Sequence, residues 1–130
     1  MNVKYTSDID IIKGYSFNGF CKDWKKSLSK NKLIKLCSNS NYFIAAIAEK
    51  QNKIIGIITA LSDNINWVFI QYLEVLAEYQ NNGIGSKLLI KILKKYKGIS
   101  CIDLTCNENV QSFYERFGMK KSHGMVLRKF

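Results

Sequence analysis

The segment from residue 67 to residue 106 constrains the fold most strongly, because its hydrophobic period changes twice. The run WVFIQYLEVL (67–76) is rich in β-branched and aromatic residues, which is typical of a strand. After Gly83 and Gly85, the apolar residues follow one helical stripe: Leu88, Leu89, Ile92, Leu93 and Tyr96. The run ISCIDLTC (99–106) is strand-like again. Such a strand–helix–strand unit is expected to join two parallel strands by a right-handed crossover.

Two further apolar runs lie upstream of this unit. YFIAAIAE (42–49) and KIIGIITAL (53–61) are separated by a short polar stretch around Asn52. Together with residues 67–76 they make three sequential strands joined by short turns. The sequence therefore predicts an antiparallel meander that leads into the parallel unit.

The two ends of the chain are less regular. NVKYT (2–6) is predicted to form a first strand, and residues 8–37 to contain one or two short helices. Asn107 is a suitable N-cap for a last helix that Gly118 ends, and the tail MVLRKF (125–130) can add an edge strand. The predicted fold class is α/β: a mixed, mostly antiparallel sheet with a central parallel βαβ unit and helices on both faces.

Length and composition indicate one globular domain over residues 1–130, since 47% of the residues are hydrophobic. We see no apolar run of membrane-spanning length and no basic-then-apolar leader pattern in MNVKYTSDID. The expected location is the cytoplasm, with no membrane partner.

The chain carries a net charge of +10, and nearly all of its basic residues are lysines. This charge favours anionic partners. The lysines concentrate in the basic segment Lys22–Lys35, which could belong to an RNA- or DNA-binding protein. Specific nucleic-acid sites, however, use arginine forks and exposed aromatic residues, which are sparse there. A solvated helix face explains the segment better.

The cysteines do not indicate a metal site or a disulfide framework. None of the four forms a Cys-x-x-Cys pair, and His123 is the only histidine. We expect reduced thiols at all four positions: Cys21, Cys37, Cys101 and Cys106.

A strand, a glycine turn and a helix N-terminus together form an anion site, because the first backbone N–H groups of a helix have no internal acceptor. The spacing of a Walker A phosphate loop is missing. The dinucleotide-binding fingerprint needs a third glycine, and Leu88 occupies that position. Asp103 lies at a suitable distance to serve as the acidic residue that binds the ribose in that fingerprint. A single βαβ unit late in the chain, however, is not a dinucleotide-binding domain.

The segment QNNGIG (80–85) resembles the [Gln/Arg]-x-x-Gly-x-[Gly/Ala] pyrophosphate signature of the GCN5-related N-acetyltransferase (GNAT) family. NENVQSFYERFGM (107–119) is similar to that family's later Asn-x-x-x-x-x-[Leu/Phe]-Tyr-x-x-x-Gly-[Phe/Met] motif, at matching spacing and in the same order. The resemblance is strong over residues 67–119. Over residues 42–66 only the general sequence pattern agrees with the family, and before residue 42 the resemblance is weak. Ala77 departs from it, since proline is common there.

The resemblance implies that acetyl-CoA binds where the two parallel strands separate, with no metal required. The implied coenzyme contacts are the backbone of the fourth strand, the glycine turn and two residues of the later motif: Leu73, Glu74, Val75, Gln80, Asn81, Asn82, Gly83, Ile84, Gly85, Ser86, Asn107 and Tyr114.

The resemblance also implies direct attack of a neutral amine on the thioester. Tyr114 is the candidate acid for the leaving thiolate, although core packing also explains its ring. Glu74 is the first candidate base, with Asp103 or an ordered water as alternatives. A covalent route through Cys101 or Cys106 would need a basic partner.

The predicted function is N-acetylation of a small-molecule or peptide amine. A non-catalytic acyl-CoA-binding module of the same fold is the main alternative. The acceptor is not readable from the sequence, but the positive surface disfavours polycations. Homodimers are common in the family, and the sequence leaves the oligomeric state open.

Overall fold

A five-stranded sheet forms the centre of the molecule. The computed structural model describes residues 2–22, 24 and 27–129. The strands are β1 (Val3–Thr6), β2 (Tyr42–Ala48), β3 (Lys53–Ser62), β4 (Trp67–Val75) and β5 (Cys101–Asp103). They lie side by side in chain order. The pairs from β1 to β4 are antiparallel, and β4 and β5 are parallel. The predicted mixed, mostly antiparallel sheet is therefore confirmed, and its parallel pair lies at one edge of the described sheet.

Among the described residues, four α-helices accompany the sheet: α1 (Ile9–Ile12), α2 (Lys30–Asn39), α3 (Ile84–Lys95) and α4 (Gln111–Glu115). Helix α2 begins at Ser29, whose hydroxyl accepts the N–H of Lys32. Two lysines in the last turn of α3 face the negative end of its dipole. None of the described helices has the length and apolar character to cross a bilayer.

Helices cover both faces of the sheet, as the sequence predicts. On one face, α3 lies close to β3, because Gly56 has no side chain between it and Leu88 or Ile84. On the opposite face, the backbone N–H of Cys21 reaches the Glu74 carboxylate, and α2 lines a cavity together with Leu61.

The core extends over both sides of β2 and β3. Nearly every residue of these strands is buried, so they read as continuous apolar runs instead of alternating ones. Helices α1, α2 and α3 and strand β4 contribute the remaining large side chains. The largest fully buried apolar residues are Ile12, Leu33, Ile47, Ile54, Ile55, Ile57, Ile58, Val68, Leu88, Leu89 and Ile92.

The last third of the chain is less regular than predicted. β5 has only three residues, and the last helix begins as a 3-10 turn (Glu108–Val110) after Asn107, whose side chain makes no capping bond. Within 119–129 the structure contains no strand. The predicted edge strand at 125–130 is therefore wrong over its described part, and Phe130 lies outside the described residues. The cause is the shortness of β5, which offers the tail little edge to pair with.

We expect Gly56→Leu to lower the free energy of unfolding by about 1–3 kcal/mol, because an added Cβ would already lie 3.1 Å from Leu88 and 3.2 Å from Ile84. Gly98→Ala is the control, since an added Cβ there meets nothing within 4 Å. Its effect should stay within about 0.5 kcal/mol. Urea unfolding of both variants measures the difference, and equal stabilities would contradict the close approach of α3.

Candidate functional site

A gap opens between β4 and β5 because their pairing ends early. The two strands pair only from Trp67 to Phe69, whereas β4 continues to Val75. Against β3, Thr59 pairs with Tyr72 and Ala60 with Ile70, so β4 carries an extra residue between them. Such a bulge bends its strand and increases the local twist. The last residues of β4 therefore have β3 on one side and no described strand on the other.

The backbone at the end of β4 is turned toward this gap. The N–H of Leu76 donates to the Ile55 carbonyl on β3, at 2.9 Å. Backbone groups alternate in direction along a strand, so the N–H and C=O of Val75 point the other way. The Gln80 side-chain amide donates to that carbonyl at 3.0 Å. The N–H of Val75 is left directed into the gap.

The glycine turn lies directly beside this strand end. Asn81 (φ 64°) and Gly83 (φ 77°) both adopt the left-handed conformation. The side-chain amide of Asn82 donates to the carbonyls of Tyr79 and Gln80, at 3.1 Å each, and braces the turn from within. Gly85 is close to α4, because an added Cβ would lie 3.6 Å from the Phe113 ring.

The turn presents a row of free donors. No hydrogen bond found among the described residues uses a backbone N–H from 81 to 86, and no side chain caps the N-terminus of α3. These groups lie at the positive end of the helix dipole. Consecutive free N–H groups around left-handed residues form a concave anion site. The turn therefore offers a set of donors that can accept an anionic group next to the gap.

Tyr114 lies on α4, whose Phe113 reaches the glycine turn. The rings of Phe113 and Tyr114 meet edge to face at 5.0 Å. Tyr114 also lines a cavity of about 750 Å³ along β5, together with Asp103 and Cys106. Burial, with a smaller contribution from Cys106, raises the pKa of Tyr114 to about 12. Its hydroxyl therefore remains a proton donor at neutral pH.

Glu74 lies on the opposite face of β4 from Leu73 and Val75, as strand alternation predicts. Its Oε1 accepts the Tyr72 hydroxyl at 2.5 Å and the Cys21 N–H at 3.1 Å. Asp103 lies elsewhere, since its carboxylate accepts the indole N–H of Trp67 at 2.8 Å. The two candidate bases are thus separated: Glu74 lies on the part of β4 that borders the gap, whereas Asp103 lies on β5 and contacts Trp67.

Sequence reasoning missed Tyr72. The available signal was its spacing from Glu74, because residues two apart in a strand share a face. Asn107, a predicted contact of the coenzyme, lies at the start of the 3-10 turn with an exposed side chain that makes no capping bond.

The cysteines are all unpaired, and two of them are buried. The Cys106 side chain is exposed, but partial desolvation raises the pKa of its thiol, which disfavours the thiolate that a covalent route needs. Within the part of the chain that the structure describes, no three His, Cys, Asp or Glu side chains cluster in a way that could hold a metal ion.

The basic segment Lys22–Lys35 is described except for residues 23, 25 and 26. The lysines of α2 within it are exposed, while Phe17 and Phe20 beside it are buried in the core. Trp24 is the aromatic side chain of the described segment that reaches the surface. The lysines of α2 thus lie on the solvent-exposed side of the described segment.

The sequence matches the model of the acetyltransferase (GNAT) family over residues 12–119. The uncharacterized N-acetyltransferase ycf52 of Gracilaria tenuistipitata var. liui is 28% identical over 92 residues, which cover 67% of this chain and 50% of that protein. The chain thus spans half the length of this relative.

Solved structures share the fold. A protein from Deinococcus radiodurans R1, provisionally named an acetyltransferase, superposes with a TM-score of 0.88 at 28% identity, covering 98% of this chain and 88% of that one. A GNAT-family acetyltransferase from Streptococcus pneumoniae TIGR4 has a TM-score of 0.71 at 24% identity, covering 98% and 97%. Since the family match spans well over half of the chain, this protein belongs to the GNAT family of acetyltransferases.

Proposed function

We propose that this protein is an acetyl-CoA-dependent N-acetyltransferase that transfers the acetyl group to a primary amine by direct attack in a ternary complex. The observation that carries the proposal is the row of free backbone N–H groups at 81–86, which lies beside the gap between β4 and β5. A diphosphate with an extended arm requires both features side by side.

Two sets of residues are proposed to hold the coenzyme. The N–H groups of the glycine turn bind the pyrophosphate, and the backbone at the end of β4 binds the pantetheine arm in the gap. Gln80 supports this arrangement by holding the Val75 carbonyl, and Asn107 contacts the arm. The proposed members are Leu73, Glu74, Val75, Gln80, Asn81, Asn82, Gly83, Ile84, Gly85, Ser86, Asn107 and Tyr114.

Three groups of this chain are proposed to act on the reacting atoms; acetyl-CoA supplies the activated acetyl thioester. The Val75 N–H points into the gap, where it can stabilise negative charge on the acetyl carbonyl oxygen. Tyr114 donates a proton to the departing sulfur. Glu74 accepts a proton from the amine, directly or through an ordered water.

Acetyl-CoA is expected to raise the thermal unfolding midpoint, because a ligand that binds only the native state stabilises it by about 2.7 kcal/mol at 100 times its Kd. A thermal shift assay with acetyl-CoA measures this, with ATP and NAD as controls. An absent shift, or an equal shift with all three, would contradict the proposed coenzyme site.

Gly83→Ala is expected to weaken acetyl-CoA binding by about tenfold or more, because the new Cβ strains the turn and occupies the space that the pyrophosphate needs. Gly118→Ala is the matched control: both glycines have a positive φ and open surroundings. Both variants should lose about 1–2 kcal/mol of stability. Calorimetric titration measures the affinity of each variant for acetyl-CoA. An equal loss of affinity in the two variants would show that backbone strain alone, and not the space at Gly83, causes the loss.

Tyr114→Phe is expected to lower kcat by about 10²-fold or more, with little change in acetyl-CoA affinity, because it removes only the proton donor. Tyr5→Phe, on the far edge strand β1, is the control. Since the pKa of Tyr114 is raised to about 12, the donor persists up to that pH. The rate should show no fall caused by Tyr114 below about pH 11.

Thiol release from acetyl-CoA with a panel of primary amines measures these rates. The panel runs from amino acids and amino sugars to phenethylamine and a short peptide. Coenzyme binding without turnover of any amine would favour the acyl-CoA-binding module instead. An unchanged kcat in Tyr114→Phe would remove the assigned acid.

A further inference from the structure

Tyr72 and Glu74 form a hydrogen-bonded pair on the face of β4 opposite α3. The Tyr72 ring is buried, and its hydroxyl lies 2.5 Å from Glu74 Oε1. The Tyr72 hydroxyl is the donor and the Glu74 oxygen the acceptor. The Trp24 and Tyr72 rings pack edge to face, with 5.3 Å between their centroids.

A second donor reaches the same oxygen. The backbone N–H of Cys21 lies 3.1 Å from Glu74 Oε1, and Cys21 has a φ of 61°, in the left-handed region that residues other than glycine rarely adopt. Such strain persists only where the surrounding structure holds it in place, and it concentrates at functional sites. Both donors therefore converge on one oxygen of a half-buried acid.

The two donors leave the second carboxylate oxygen available. Among the described residues no hydrogen bond to Oε2 is found, although Oε1 accepts two. Burial, and then the adjacent carboxylate, raise the pKa of Tyr72 far above its usual value, so its hydroxyl stays protonated and acts as the donor. The carboxylate is thereby fixed in one orientation while one oxygen keeps its lone pairs.

We propose that Tyr72 is a positioning residue for amine deprotonation: with the Cys21 N–H, it holds Oε1 of Glu74 so that Oε2 faces the incoming amine. This inference rests on the proposed function, in which Glu74 is the base. Tyr72 touches neither substrate, and its contribution passes entirely through the Glu74 carboxylate.

A double-mutant cycle in thiol release tests the assignment, using the most active amine of the panel. Tyr72→Phe should lower kcat by about tenfold or more while the KM for acetyl-CoA changes by less than about threefold. In the Glu74→Gln background, the same change should lower kcat by less than about twofold, because the group it orients is gone. Tyr5→Phe, on the far edge strand β1, is the control and should retain the wild-type kcat.

A second measurement does not depend on turnover. The short hydrogen bond should give a far-downfield, slowly exchanging proton resonance in the NMR spectrum, which is lost in Tyr72→Phe. It should also be lost in Glu74→Gln, where the Tyr72 ring stays in place. This reading holds even if Tyr72→Phe folds poorly.

The outcomes distinguish the positioning role of Tyr72 from the proposed acetyltransferase activity. An active wild type whose Tyr72→Phe effect is as large in the Glu74→Gln background would overturn the positioning role and leave the acetyltransferase proposal standing. A downfield resonance that survives in Glu74→Gln would also overturn it. A wild type that binds acetyl-CoA but acetylates no amine would overturn the proposed function itself, and the role of Tyr72 with it.

Discussion

The early end of pairing between β4 and β5 determines where the candidate site can lie. Three residues of β5 are paired with β4, and the bulged remainder of β4 runs on without a described neighbour on that side. Unpaired backbone groups at a strand end are normally an energetic liability. Here they lie beside the N-terminus of α3, so the chain brings two sets of unsatisfied donors to one place. A single extended anionic ligand could satisfy both.

Strand β4 also separates the two halves of the proposed chemistry. Leu73 and Val75 face α3 and the glycine turn, while Tyr72 and Glu74 face the N-terminal segment. The alternation of a strand thus puts the side chains of Leu73 and Val75 on the side of α3 and the candidate base on the other. An acetyl carbonyl bound at the end of β4 would lie between the two groups. This division follows from the period of a β-strand and needs no separate structural element.

The sequence predicted the parts of the molecule whose signals are local. The change of period at residues 67–106 identified the strand–turn–helix unit, and the glycines of the turn indicated where a candidate anion site would lie. The N-terminal third was less readable because its side chains, such as Phe17 and Phe20, are buried by tertiary contacts without a regular period. The pairing of Tyr72 with Glu74 was readable from their spacing of two in one strand. Cys21 lies more than 50 positions away from both, so no local pattern could reveal its contact with them. The tail was predicted as a strand from composition alone, although strands also require a free edge of sufficient length.

The continuous burial of β3 has a consequence for motion in the site. This strand is buried over most of its length and pairs with β2 and β4 on its two sides. Its amide hydrogens will be among the slowest to exchange with solvent, because only extensive opening exposes them. At the end of β4, the backbone groups bonded to β3 are protected from hydrogen exchange in the same way, whereas those on the side of the gap are not. The boundary between the rigid and the exchanging parts of the protein therefore runs along a single strand, and ligand binding would extend protection across it.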